Sequence, residues 1–251
     1  MRDTATRGTA VRRVLALVLA AAVFGSMVVA SAGVAAAQED QSDAEVRVIH
    51  AVADGPAVDV YVDGELVFED VEFREESEYE SVPVGTQNIT VTPANDSETV
   101  LYEDEINVTP GQTTVGVGGE LSENGGDFIA VVLADDAAPD DNESAVRLAH
   151  LAPEAPAVDV TVAETGDVLF DDVDFNSATE YETVPAGEYE LEVRNATEDD
   201  DGEVVGTVNV TVENESAYTA VATGYLDTED APVDEPFTVE VYEDGTANST
   251  D

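Results

Sequence analysis

Residues 46–62 read VRVIHAVADGPAVDVYV and residues 146–162 read VRLAHLAPEAPAVDVTV, so one motif occurs twice at a spacing of 100 residues. The repetition continues downstream, where FEDVEF at 68–73 returns as FDDVDF at 170–175. A period near 100 residues is the length of a domain and is too long for a solenoid repeat. The sequence therefore predicts two copies of one folding unit.

Alternation of apolar and polar residues predicts that both copies are built from β-strands. Val58, Val60 and Val62 alternate with Asp59 and Tyr61, which is the period of a half-buried strand. Similar runs predict strands near 87–93, 106–108, 113–117 and 128–133, with a turn at 124–127, and near 146–150, 157–162, 188–194, 204–212, 217–225 and 237–242. The predicted fold is all-β, with two tandem antiparallel β-sandwich domains of the immunoglobulin-like type after an N-terminal signal segment.

The first forty residues have the pattern of an export signal. Arg12 and Arg13 precede a long apolar run, and the run ends in three alanines at 35–37. The paired arginines resemble a twin-arginine signal, and an uncleaved membrane anchor is the competing interpretation. The predicted organisation is a signal peptide (1–37), an acidic spacer (38–44), a first sandwich (45–134), an acidic linker (135–144) that extends by self-repulsion, a second sandwich (145–243) and a polar tail (244–251).

The composition restricts the partners and the solvent. The chain has 57 Asp and Glu against 8 arginines, no lysine and a net charge of -49. Such a surface repels nucleic acid and anionic membranes, and it attracts salt cations. We therefore expect no nucleic-acid partner. We expect a membrane contact only through the N-terminal segment, if that segment is not cleaved. Screening in concentrated salt would allow this chain to fold compactly, which predicts a halophilic protein. With no cysteine, disulfides and thiolate metal sites are excluded.

Asparagine is placed unusually in this chain. Of its ten asparagines, eight begin an Asn-x-Ser/Thr triplet. The cluster predicts N-glycosylation at the cell surface, and polar filler on an acidic surface is the alternative. The candidate sites are Asn88, Asn95, Asn107, Asn142, Asn195, Asn209, Asn214 and Asn248.

The two histidines occupy the same position in the two copies. His50 and His150 each precede an equivalent aspartate, Asp59 or Asp159, by nine residues. A hairpin centred on Asp54 and Gly55 would bring His50 opposite Asp59, where the pair would serve as a structural hydrogen bond or, with further groups, as a base or metal ligand. If the two strands lie in different sheets, this pairing is void. Because no third ligand or nucleophile has a recognisable spacing, we expect a structural role and no cofactor.

Two further features invite a structural interpretation. Tyr79 and Tyr181 precede equivalent Val-Pro-x-Gly turns and resemble the tyrosine that fastens the corner of a sandwich. The run Asp199-Asp200-Asp201-Gly202-Glu203 has calcium-loop composition but lacks the ligand spacing of an EF-hand, so we expect a solvated turn.

The run HAVADGPAVDVYVDG at 50–64, with Tyr79 and the turn at 82–85, resembles the family called domain of unknown function 4397. The second copy is similar at 150–160 and at the turn 184–187, but it has Thr-Val-Ala-Glu at 161–164 where the first has Tyr-Val-Asp-Gly. The resemblance implies secreted, often tandem β-sandwiches without an established activity, and the acidic composition indicates a haloarchaeal member.

The expected function is therefore that of an exported, glycosylated structural or adhesive protein without catalytic activity. It would be located at the cell surface or outside the cell and contact a cell-envelope protein or glycan. The first alternative is a surface module that binds carbohydrate or divalent cations. A hydrolase that uses His50 and Asp59 is the second alternative.

Overall fold

The computed structural model describes residues 44–122 and 125–245. The predicted signal peptide, the spacer up to residue 43 and the candidate site Asn248 lie outside the described residues. Within those residues, no helix has the length and hydrophobicity that a membrane span requires.

The first repeat forms two four-stranded sheets, in the orders β4-β1-β7-β8 and β3-β2-β5-β6. Their facing sides enclose an apolar core that includes Val46, Val60, Phe68 and Ile106. The strands are β1 (Ala44–His50), β2 (Val58–Val62), β3 (Glu65–Val71), β4 (Glu80–Val82), β5 (Gly85–Pro93), β6 (Tyr102–Val108), β7 (Gln112–Ser122) and β8 (Gly125–Ala134).

The second repeat has the same plan, with sheets ordered β12-β9-β16-β17 and β11-β10-β14-β15, and with β13 also paired to β9. Leu148, Val160, Phe170 and Leu191 belong to its core. The strands are β9 (Glu143–His150), β10 (Val158–Val162), β11 (Val168–Val173), β12 (Ser177–Ala178), β13 (Glu182–Pro185), β14 (Gly187–Asn195), β15 (Val204–Val212), β16 (Ala217–Thr223) and β17 (Thr238–Asp244).

The prediction of two tandem all-β domains is confirmed, and most strand pairs are antiparallel. The exceptions are β1 with β7 and β9 with β16, which pair in parallel. The predicted closing hairpin is present as β7 and β8, although β8 already begins at Gly125 and includes most of the predicted turn. The sequence interpretation missed β3 and β4 of the first repeat and β11, β12 and β13 of the second. ELVFEDV in β3 and VLFDDV in β11 do not alternate, and the other three strands are very short.

Of the two arrangements that the sequence left open for the first two strands, the hairpin is wrong and the connection between different sheets is present. β1 lies in one sheet and β2 in the other, so the loop at 51–57 carries the chain from sheet to sheet. His50 and Asp59 are consequently not cross-strand neighbours. A short Gly-Pro loop permits either connection, and the local sequence does not decide between them.

The strand directions give each repeat two distinct ends. The chain begins β1 at Ala44 and ends β8 at Ala134 at one end, which we call the base, while the loop 51–57 lies at the far end. Contacts between the repeats join base to base, as from Arg47 to Glu243, and far end to far end, as from Thr223 to Ala51. The repeats therefore lie side by side with corresponding ends together.

The predicted extended linker is also wrong, because the repeats pack directly against each other. Asp135 is buried and its backbone N–H donates to the carbonyl of Gln112 at 2.9 Å, while β9 begins at Glu143 inside the predicted linker. The predicted tail was to begin at Asp244, but this residue is buried and is the last residue of β17. Both aspartates bind arginines of the other repeat, and this attraction outweighs the local self-repulsion of an acidic segment.

Candidate functional site

Arg47 crosses from the first repeat into the second. Its side chain is only 2 % exposed; Nη1 donates to the Glu243 carbonyl at 2.8 Å and Nη2 pairs with the Asp244 carboxylate. Nε donates to Thr114 Oγ1 at 2.8 Å, and Nη1 also pairs with Glu76. A buried guanidinium of this kind is tolerated only when its donors are used.

Arg147 makes the reciprocal connection. Its Nη1 donates to the Ala134 carbonyl at 2.8 Å, its Nη2 pairs with the Asp135 carboxylate, and its Nε donates to Thr219 Oγ1 at 2.8 Å. Each arginine thus reaches the last strand of the opposite repeat and the residue at its end. The arrangement has an approximate twofold symmetry that follows from the sequence repeat.

The two aspartates are held by their own repeats. The Tyr79 hydroxyl donates to Asp135 Oδ2 at 2.7 Å, and the Tyr181 hydroxyl donates to Asp244 Oδ2 at 2.5 Å. These tyrosines are therefore not sandwich corners, since they orient carboxylates at the junction. Eight residues form this set, which we call the inter-repeat network: Arg47, Tyr79, Thr114, Asp135, Arg147, Tyr181, Thr219 and Asp244.

Burial controls the protonation of the network. It raises the pKa of the Tyr79 and Tyr181 hydroxyls, which remain neutral donors at ordinary pH. Burial also raises the pKa of the Asp244 carboxyl, and Arg147 opposes this rise. Arg147 lies 4.4 Å from the Tyr181 ring centroid and Arg47 lies 5.1 Å from that of Tyr79, so each cation also contacts an aromatic face.

Apolar side chains fill the junction above the network. They form a cluster separate from the two sandwich cores: Ile49, Ala51, Leu133, Ala149, Leu151, Val221 and Tyr242. Leu151 of the second repeat lies directly over Gly116 and Gly118 of β7. Because Leu151 leaves no room for a β-carbon at either position, the middle of this strand contains two glycines, although glycine normally weakens a strand.

Arg74 adds a third connection at the far end. It pairs with Glu235 at 3.3 Å and Glu240 at 3.7 Å, and its Nη2 donates to the Pro236 carbonyl at 3.0 Å. Of the four arginines beyond residue 13, Arg194 is the one whose contacts within the described residues, with Glu192, Thr161 and Gly202, all lie in its own repeat. A chain with so few cations therefore places three of these four at the contact between its repeats.

The two histidines and their aspartates serve the backbone separately. His50 Nε2 bonds the Pro56 carbonyl at 2.9 Å, and Asp59 accepts N–H bonds from Asp70 at 2.9 Å and Asn95 at 3.4 Å. The second repeat repeats the pattern: His150 bonds the Pro156 carbonyl at 3.0 Å, and Asp159 accepts from Asp172 and Thr197. Burial lowers the pKa of both histidines, which are neutral at pH 7.

The structure also brings together three carboxylates that the sequence interpretation did not combine. Asp159, Asp171 and Asp200 offer oxygens that lie within 4.8 Å of one another, and Asp200 comes from the run considered as a calcium loop. No sequence signal joins them, because they come from two strands and a loop. Each Asp159 oxygen already accepts one backbone N–H bond, which leaves part of its acceptor capacity for a cation.

Most of the described candidate glycosylation sites face the solvent. Asn88 and Asn195 are half-buried, and Ile89 and Val108, the middle residues of two strand triplets, point into the core as the alternation predicts. The exposed asparagines are Asn95, Asn107, Asn142, Asn209 and Asn214.

Comparison with known proteins places the chain in a family. Among solved structures, similarity extends to a leucine-rich repeat protein from Bacteroides thetaiotaomicron, at 13% identity over 74% of this chain and 26% of that one, with a TM-score of 0.20. A candidate cell adhesion protein from Bacteroides fragilis matches at 9% identity over 80% of this chain and 98% of that one, with a TM-score of 0.19. The sequence matches no curated protein. The family model described as domain of unknown function (DUF4397) matches residues 44–161 and 160–250, so the chain belongs to that family.

Proposed function

We propose that this protein is an exported, N-glycosylated structural or adhesive module of the cell surface in a high-salt environment, and that it has no catalytic activity. The main support is the inter-repeat network, because the buried arginines and aspartates join two sandwiches into one unit instead of lining an open pocket. A joined unit of this kind is better suited to presenting a surface than to catalysing a reaction.

Two further observations support the proposal. His50 and Asp59, the residues of the hydrolase alternative, each bond a different backbone segment. The exposed triplet asparagines are accessible to a glycosyltransferase acting on the folded protein, whereas Asn88 and Asn195 are half-buried.

Cell fractionation and glycopeptide mass spectrometry of the native protein test the proposal together. We expect the protein in the envelope or the medium, with glycans on Asn107, Asn142, Asn209 and other exposed sites, and with Asn195 unmodified. A cytoplasmic protein whose mass equals that of its polypeptide would contradict the proposal. Occupied Asn195 would contradict only the assignment of sites.

A surface module for divalent cations is the second candidate. It is favoured by the carboxylate group of Asp159, Asp171 and Asp200, and by a groove of about 240 Å³ in the first repeat that Glu69, Glu75 and other acidic residues line. Calcium titration by calorimetry in concentrated sodium chloride, with Asp171→Asn and Asp200→Asn as matched variants, separates the candidates. Heats that are flat, or equal in all three proteins, would remove this site from consideration.

A further inference from the structure

The contact between the repeats is symmetric in position but not in the size of the side chains. Leu151 corresponds to Ala51, at a spacing of 100 residues. Val48 and Leu148 occupy equivalent positions in the two repeats, and they pair with Val115 of β7 and Ala220 of β16. Val115 and Ala220 are therefore equivalent positions as well. Gly116 and Gly118 therefore correspond to Val221 and Thr223.

In one half of the contact a large side chain faces two glycines, and in the other half a small side chain faces two larger residues. A β-carbon at Gly116 would lie 2.9 Å from Leu151 Cδ1, and one at Gly118 would lie 2.9 Å from Leu151 Cβ, so the large leucine requires both glycines. On the other side the small Ala51 faces the larger pair, and the Thr223 hydroxyl donates to its carbonyl at 2.7 Å.

This exchange decides which repeats fit each other. Two second repeats placed face to face would set Leu151 against Val221 and Thr223, whose β-carbons would occupy the space that the glycines leave open. Two first repeats would set Ala51 against the glycines and leave a void. Only one repeat of each kind fills the contact without a clash or a cavity.

The charges favour the same pairing. Arg74 of the first repeat binds Glu235 and Glu240 of the second, and the corresponding position of the second repeat is Asn176. A pair of second repeats would lack this cation between two acidic surfaces. In contrast, Arg47 and Arg147 are equivalent, so the inter-repeat network alone would accept either pairing.

We propose that the inter-repeat face is a heterotypic docking surface whose one occupant is the opposite repeat of this chain, and that it rejects a repeat of its own kind. The inter-repeat network contributes to the affinity of either pairing, because both repeats contain it. Selectivity comes from the positions of Ala51, Gly116, Gly118 and Arg74 and from their counterparts.

The test starts from the complete folded chain. A protease site is inserted between residues 137 and 138, in the segment between β8 and β9, and the protein is folded and then cut in concentrated salt. Cut samples carrying light and heavy isotopes are mixed and analysed by native mass spectrometry. We expect one-to-one complexes of first and second repeats with exchanged isotopes. Homodimers, separate monomers or loss of the sheet signal in circular dichroism would each overturn the proposal.

A compensated pair of variants tests the role of side-chain size. Gly116→Val gives the first repeat the residue of the second at this position, and we expect its cut halves to bind at least about tenfold more weakly, because a β-carbon there would lie 2.9 Å from Leu151 Cδ1. Adding Leu151→Ala removes that carbon and should restore binding. If the glycine variant binds as tightly as the parent, or if Leu151→Ala weakens it further, side-chain size does not control the pairing.

Discussion

Arg47 and Arg147 show how single residues hold the two repeats together. A planar guanidinium offers several donors in a fixed geometry, so it can pair with a carboxylate while it also bonds a hydroxyl and a carbonyl. Lysine, which is absent from this chain, could not satisfy these acceptors from one position. The buried aspartates require such partners, because an unpaired buried charge strongly destabilises a fold.

Removing one arginine from the network should be severe. For Arg147→Gln we expect a loss of about 3–5 kcal/mol in the free energy of unfolding, because Asp135 then lacks its buried counter-charge. The measurement is urea denaturation in concentrated salt. Arg194→Gln is the matched control: its pair with Glu192 is partly exposed, and we expect a loss of about 1 kcal/mol or less. Equal losses in the two variants would contradict a special role for the network.

The two histidines predict how stability depends on pH. Burial lowers their folded-state pKa below the unfolded value of about 6.5, so the stabilisation is complete above that pH and is lost as the pH falls through the folded-state values. Each histidine contributes a slope of at most about 1.4 kcal/mol per pH unit.

Urea denaturation between pH 7.5 and 5.5 measures this slope. The double variant His50→Gln and His150→Gln should lose this slope. The raised pKa values of the Asp244 and Glu76 carboxyls act in the opposite direction in both proteins, since protonating a carboxyl of raised pKa favours the folded state, so the histidine contribution is the difference between the two slopes. Equal slopes in the parent and the double variant would contradict the prediction.

Among the elements, strands were predictable where one face is buried and the other is wet. β5 and β14 alternate cleanly, and both were expected nearly as the structure has them. The partner sheet of a strand was not predictable, because the loop 51–57 has the same turn chemistry whichever sheet follows. Asp135 and Asp244 were assigned to a linker and a tail because acidic residues usually face water, and only their distant arginine partners reverse that expectation.

The second sandwich is packed less fully than the first. An apolar cavity of about 40 Å³ lies between its sheets against Ala220, whereas the corresponding cavity beside Val115 in the first repeat measures about 10 Å³. Ala220→Val should therefore stabilise the protein by about 1 kcal/mol, because it buries two methyl groups in existing space.

Thermal unfolding in concentrated salt measures this gain. Val115→Ala is the reverse change in the better-filled repeat, and we expect it to cost about 2 kcal/mol or more. A lower melting temperature for Ala220→Val would show that the space is needed or that the neighbouring strands cannot adjust.

For the whole molecule, the net charge of -49 opposes close packing of two acidic domains. The Debye length is about 3 Å in 1 M salt and about 10 Å in 0.1 M salt, so dilution extends the repulsion across the junction. The repeat and its sandwich plan were evident in the sequence, but this packing was not, because it depends on three arginines whose partners are distant in the chain.

Lowering the salt should separate the repeats before either sandwich unfolds. Small-angle X-ray scattering should show a larger radius of gyration at a salt concentration where circular dichroism still reports intact sheets. Arg74→Gln should move this separation to higher salt, because it removes the cation between Glu235 and Glu240, whereas Arg194→Gln should not move it. Simultaneous loss of both signals in the parent protein would contradict a separable junction.

The contacts of Gln112 at the base determine how the protein would respond to mechanical force. Gln112 donates to Glu45 at 3.2 Å, and Gly245 lies against the same side chain, so the two ends of the described chain are neighbours. Tension applied between segments attached to these ends would peel β1 and β17 away from the base, breaking their hydrogen bonds one after another. A load applied to the far end would instead be shared by many bonds along the strands. The fold is therefore better suited to projecting a surface from an attachment point than to carrying force as a link in a stretched chain.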